Sequence, residues 1–248
     1  MNNFAYFTVL SSVQELKEGL TLFFGFHYSN SKYPLIIFVE PDGLLLEELP
    51  NFQNYIQKYN MNIEIIILED NYKSINAPYS IGNLNILHCF TDNLGYSRML
   101  FLDYNLTLLD NLDFLLENES LIFAGYLYQP DWDWISTITQ QTYPTTGKIL
   151  SHDLYVFDIN SFPTIDLEQI QEMKPVLSLI LSKLYTPQLL DKSSLPILTE
   201  DFPEIFPNLM MNGNEKYDNA QFFASHLIQD DTFKSDILKY CNFLKSMK

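Results

Sequence analysis

The stretch Tyr96 to Leu116, YSRMLFLDYNLTLLDNLDFLL, runs an apolar strand into a carboxylate at Asp103 and sets a polar residue, Asn105, two positions later. In a parallel sheet the carboxyl ends of the strands border the ligand crevice. An ionised Asp103 at such an end suits a divalent cation on a diphosphate, because hard cations prefer oxygen ligands. The plain alternative is an aspartate that caps a helix or forms a turn. A second acidic group, Asp131-Trp132-Asp133-Trp134, lies in the segment Gln129 to Gly147. It could bind a metal, or stack sugars on tryptophan while the carboxylates accept hydroxyl hydrogen bonds. Its alternative is a loop whose tryptophans pack back on the domain. His152-Asp153 offers an acid/base pair or replacement ligands, against a solvent-facing pair on a strand edge. His88, within a helical pattern, reads as structural. The eight glycines are too scattered for a phosphate loop or a nucleotide fingerprint, and no Ser-His-Asp arrangement is present.

Elements must hold these residues in place. Phe4 to Leu10 (FAYFTVL) is a near-continuous apolar run and reads as a buried strand. Ser11 and Ser12 follow as helix caps. Leu16, Leu20, Phe23, Phe24 and His27 recur at helical spacing. Pro34 opens a second strand, LIIFVE, closed by the turn signal Pro41-Asp42-Gly43. A helical pattern runs from Pro50 to Tyr59, and Ile63 to Leu68 is a third strand. Residues 71–83 read as a loop and 84–94 as a helix. Met99 to Leu102, Leu121 to Tyr128 and Leu154 to Ile159 supply three more strands. The segment Gln129 to Gly147 is too long for a plain connection, and long loops in compact domains are usually functional. Leu167 to Tyr185 is helical around Pro175, 186–220 irregular, and a helix begins near Asp230. Alternating strands and helices predict βαβ units and a mostly parallel sheet.

Composition narrows the partners. The chain has 248 residues, 47% of them hydrophobic and 15% aromatic, enough for one large core. Asp plus Glu number 31 against 14 Lys plus Arg, a net charge of −17. That field repels phosphate backbones and anionic lipid surfaces, so nucleic acid is not an expected partner. Two cysteines, Cys89 and Cys241, give neither a disulfide framework nor a zinc cluster, which fits a reducing compartment. The N-terminus has no basic flank, and no apolar run nears ~18 residues. The expectation is a soluble, cytoplasmic protein with no signal peptide and no membrane span.

LHCF at Leu87 to Phe90, followed by Tyr96 to Leu116, resembles glycosyltransferase family 8, the glycogenin-like enzymes. That family carries an Asp-X-Asp motif after the strand and then an Asn-hydrophobic-Asp turn. AYFTVLSS resembles the family's first strand and nucleotide loop, and SHDLYVFDI at Ser151 to Ile159 its Asn-Ser-Gly strand. The resemblance covers about residues 4–160. It implies a GT-A fold: one α/β/α domain over 1–248 with a mostly parallel central sheet. The nucleotide-binding half would be about 1–105 and the acceptor-side half about 106–248. It also implies a nucleotide-sugar donor, usually UDP-linked, a glycan or protein acceptor, Mn2+ or Mg2+, and retention of configuration. Val9, Leu10, Ser11 and Ser12 would line the nucleoside. Asp103, Tyr104 and Asn105 would face the diphosphate, with Asp103, Asn105 and Gln221 at the metal. Asp131, Trp132, Asp133, Ser151 and His152 would face sugar or acceptor, with Asp103, Asp153 and Gln188 at the reaction centre.

The departures from that pattern concern charge. The second Asp of the motif is Asn105, and the late metal-binding His falls at Gln221. The family's glycine and lysine there are Ala224 and Leu227, the basic phosphate contact is Ile86, and a nucleotide-loop aromatic is Glu15. Amide ligands bring no charge to a hard cation. Two lost charge-assisted contacts amount to roughly 3–6 kcal/mol, or ~100- to 10⁴-fold in affinity. Metal binding is therefore expected to be weak or absent. The alternatives are an inactive GT-A module serving binding or interaction, and a metal-independent transferase relying on neutral or cationic side chains.

Overall fold

In strand β1 (Phe4–Leu10) every side chain is buried, because both faces of the sheet are covered. Phe4, Tyr6 and Leu10 enter one apolar cluster and Ala5, Phe7 and Val9 the other. The same alternation divides β2 (Leu35–Val39) and β4 (Arg98–Leu102). A computed structural model of the chain describes residues 3–40, 43–68, 95–139, 147–161, 181, 186–198 and 230–246. The expected loop at 71–83, the helix at 84–94 with LHCF, His88 and Cys89, and Gln221 lie outside these residues. So does nearly all of the helical stretch at 167–185.

After β1 come helices α1 (Val13–Glu18) and α2 (Leu20–Tyr28), then β2, α3 (Gly43–Lys58), β3 (Ile63–Ile67) and β4. Two-residue β5 (Thr107–Leu108), α4 (Asp113–Glu117), β6 (Phe123–Gly125), β7 (Leu127–Tyr128) and α5 (Trp132–Thr139) follow. Next are β8 (Ile149–Leu150), β9 (Leu154–Asp158), β10 (Gln188–Leu189), β11 (Ile197–Leu198) and α6 (Asp231–Ser246). The seven-stranded sheet has the order β10-β6-β9-β4-β1-β2-β3. β9 alone runs antiparallel to its neighbours, β4 and β6; the other pairings are parallel. The fold is thus mixed α/β with a mostly parallel sheet, as expected.

Strand order reverses at β1: the chain passes outward through β2 and β3, then returns to β4 on the other side. Open α/β sheets bind ligands beyond the carboxyl ends of the strands at such a switch point. Register places the ends of β1 and β4 together, since Phe7 is opposite Phe101. Counted two residues past that last ladder pair, Val9 and Asp103 fall at the same level along the two strands. The Asn111-Leu112-Asp113 turn serves the opposite end. There Tyr6 Oη donates to Asp113 Oδ1 at 2.8 Å and accepts from Leu112 N–H at 2.9 Å. Ser31 Oγ and the Lys32 N–H also donate to the Asp113 carboxylate, so α4 is tied to β1.

Four expectations need correction. Helix α3 begins at Gly43, not Pro50, because Leu45, Leu49, Phe52 and Ile56 form a buried stripe at helical spacing and Pro50 sits on the exposed side. The run Leu121 to Tyr128 is two short strands. β6 belongs to the main sheet, while β7 pairs antiparallel with β8. At Gly125, the last residue of β6, a Cβ would meet Leu154 O at 3.2 Å. The segment 129–147 is no plain loop, since α5 occupies its first half. Residues 186–198, read as irregular, hold β10, a 3-10 turn and β11.

Candidate functional site

Beyond β1, Ser12 caps α1 by accepting the Glu15 N–H at 3.2 Å. The Glu15 carboxylate reaches back and takes the Ser11 N–H at 2.5 Å and Ser11 Oγ at 2.8 Å. Burial pushes the Glu15 carboxyl up, against the lowering by Ser11. Glu15 is therefore the residue that shapes the β1–α1 loop, a capping role its spacing from Ser12 already encodes. Val9 and Leu10 bury their side chains in opposite clusters, so only their backbone can face a ligand.

Asp103 follows β4 and is 5% exposed. Its N–H donates to Asp153 O at 2.7 Å, and its Oδ1 accepts the Asn105 N–H at 2.9 Å. Burial first, then the Asp153 carboxylate, push the Asp103 carboxyl up, to about 6; Asn105 and His152 act the other way. Tyr104 beside it is raised by burial, then by Glu15 and Asp103.

Asp153 is the hub. Tyr126 Oη donates to its Oδ2 at 2.5 Å, Ser151 Oγ donates to the same oxygen, and His152 Nε2 lies 3.3 Å from Oδ1. Among the described residues, the buried His152 Nδ1 has no hydrogen-bond partner. Ser151 N–H donates to Tyr126 O at 2.8 Å, which fixes the turn into β9. One end of the sheet thus gathers Ser11, Asp103, Asn105, Ser151, His152 and Asp153. Tyr126 was not singled out in the sequence; a tyrosine after an apolar strand carries no local sign that it will meet Asp153.

Two expected residues are placed elsewhere. Gln188 lies at the sheet edge beside the start of β6, where Oε1 accepts the Ile122 N–H at 2.8 Å and Nε2 donates to Ser120 O at 2.9 Å. Its amide satisfies backbone groups of that turn and does not reach Asp103. Trp132 is 7% exposed and packs with Ile135, Ile149 and Tyr128. Its indole N–H donates to Gly147 O at 3.0 Å, so the ring offers little face to a sugar. Asp131, just before α5, and Asp133, on its first turn, are exposed. The Trp132 cluster touches the site through Tyr128, whose ring meets His152 edge-on at 5.8 Å.

At the end of β4 the described residues offer a divalent cation one carboxylate, that of Asp103, whose Oδ1 already accepts the Asn105 N–H. Among the described residues no group of three or more His, Cys, Asp or Glu is arranged to hold a metal ion.

Neither a protein-family model nor a curated protein matches this chain. Solved structures do. A galactosyltransferase, LgtC, in complex with donor and acceptor sugar analogues superposes with a TM-score of 0.50 at 7% identity, over 75% of this chain and 66% of that one. Mouse xyloside xylosyltransferase 1 in its apo form superposes with a TM-score of 0.50 at 10% identity, over 76% of this chain and 85% of that one. The chain thus spans about two thirds of LgtC's length. At these identities the likeness defines the fold, and the fold is that of the GT-A glycosyltransferases. Among the described residues no helix is long and apolar enough to cross a membrane.

Proposed function

We propose that this chain is a glycosyltransferase of the family 8 type. It moves a sugar from a UDP-linked donor to a glycan or protein acceptor, with retention. In that reaction the bond from the anomeric carbon to the diphosphate oxygen breaks and its electron pair leaves on the diphosphate. The acceptor oxygen bonds to the anomeric carbon, and the acceptor proton ends on the released diphosphate. The observation that carries the reading is Asp103 at the switch point, beside the β1–α1 loop and against Asp153. Ser11 and Ser12 border the nucleoside, Asp103, Tyr104 and Asn105 the diphosphate, and Ser151, His152 and Asp153 the sugar. Asp131 and Asp133 are the exposed acceptor-side carboxylates.

A panel of UDP-sugars tests this. Turnover is expected to release UDP with at least one donor, and Asp103→Ala to abolish it. Donor binding without turnover under any acceptor would favour a non-catalytic module. Mn2+ or Mg2+ is expected to bind weakly, and the Asn105→Asp, Gln221→His double variant to bind Mn2+ with UDP more tightly than the natural chain. Tight Mn2+ binding by the natural chain in calorimetry would refute that part.

A further inference from the structure

We propose that Lys192 is the cation that meets the donor's diphosphate, in the role the family gives to a metal ion; this rests on the donor reading above. Residues 190–198 form a strap beside the end of the sheet that holds Asp103. At one end the Leu190 N–H donates to Gly125 O at 2.8 Å, where β6 ends. At the other, the Leu109 N–H donates to Pro196 O at 2.9 Å, and β11 pairs antiparallel with β5, Ile197 opposite Leu108. Leu195 and Ile197 are buried in the main core, so the strap is clamped. Between its ends Asp191 caps the 3-10 turn Lys192–Ser194 by accepting the Ser193 N–H at 3.0 Å.

That turn holds the Lys192 ammonium 5.1 Å from the centroid of the Tyr126 ring. The hydroxyl of the same ring donates to Asp153, whose carbonyl accepts the Asp103 N–H. Lys192 is therefore one side chain removed from the Asp103–Asp153 pair. These carboxylates and Glu15 repel a diphosphate, and Asn105 adds no means of recruiting a metal to offset them. An ammonium carries three donors, enough to meet a ring face and a phosphate oxygen together. Among the described residues, Lys17 and Arg98 are placed less well. Lys17 on α1 is 9% exposed. Arg98 begins β4, at the opposite end of the sheet, and donates to the carbonyls of Leu116 and Asn118. Lys192 is half-buried beside the site itself.

Calorimetry in EDTA with UDP and with uridine separates the outcomes, using the natural chain, Lys192→Ala, Lys192→Arg and Lys234→Ala. UDP is expected to bind the natural chain more tightly than uridine does. Lys192→Ala should lose UDP affinity by about 10- to 100-fold, the range of one charge-assisted contact. Lys192→Arg should keep most of it, and uridine affinity should be unchanged in every variant. Lys234→Ala removes the same charge from distant α6 and should leave UDP binding unchanged. The inference falls if Lys192→Ala binds UDP within twofold of the natural chain, or if Lys234→Ala loses as much. It also falls, with the donor reading intact, if UDP binds only when Mn2+ is added. Failure of both UDP and uridine to bind, with or without Mn2+, overturns the donor reading itself.

Discussion

Asp103 places a buried carboxyl near the Asp153 carboxylate, and the fold carries the cost of that burial and like charge. Its folded pKa is raised from the ordinary 3.8 to about 6. The folded chain therefore holds this proton more firmly than the unfolded chain does. Asp103 then favours folding below its unfolded pKa, and the advantage is lost as pH rises through the folded one. Asp103→Asn removes the charge and keeps the shape. It should melt higher than the natural chain at pH 8, by an order of 1–3 kcal/mol, and about level with it at pH 4. An equal difference at both pH values would contradict this. Trp132 makes the converse case. Trp132→Ala should cost about 2–4 kcal/mol of stability, as buried large-to-small changes do, while UDP affinity stays within twofold. A loss of UDP affinity without loss of stability would return Trp132 to the site. At this scale the sequence was informative where one residue ends a strand, as at Asp103 and Ser151. It was silent where partners are distant along the chain. Nothing local marks Tyr126 for Asp153 or Lys192 for Tyr126, and Gln188 carries no sign that backbone groups of a turn will claim its amide.

Among the elements, α6 is held by chemistry away from the site. Phe233 packs its ring on Tyr28 at 5.5 Å and Tyr59 at 4.3 Å, and Tyr240 stacks on Tyr55 at 4.4 Å. Asp236 accepts from Lys58 and from Tyr59 Oη, and these bonds lower its carboxyl to about 2. Its stabilising contribution is present above the ordinary 3.8 and is lost as pH falls toward about 2. Burial keeps His27, against Phe233, below its ordinary pKa, so acid costs stability there as well. Asp236→Asn should lower the melting temperature at pH 7 by roughly 1–3 °C, the scale of a surface pair in a chain of this size. The gap should close by about pH 2–3. A gap that persists there would mean that Asp236 acts by packing and not by charge. The strands of the doubly covered sheet were legible because burial on two faces demands unbroken apolar runs. The helical pattern expected from Pro50 to Tyr59 is only the later part of α3, because the buried stripe from Leu45 to Ile56 runs through Pro50. α5 was missed because Trp132, Ile135 and the Ile149 strand form one small cluster only after the chain folds back.

The whole molecule carries a net charge of −17, which opposes the approach of any nucleotide. The association rate of UDP should therefore rise as salt screens that field, over about 20–200 mM, while steering by a positive site would make it fall. Stopped-flow fluorescence reads the sign directly. The GT-A fold accommodates this surface because the strand ends at the switch point, not the overall charge, define where a donor would lie. The most direct measurement is a crystal structure of the chain soaked with UDP. The account predicts a diphosphate between the Ser11 loop and Asp103 with the Lys192 ammonium in hydrogen-bond reach of a phosphate oxygen. UDP bound elsewhere on the molecule, or bound there with Lys192 turned away, would contradict it.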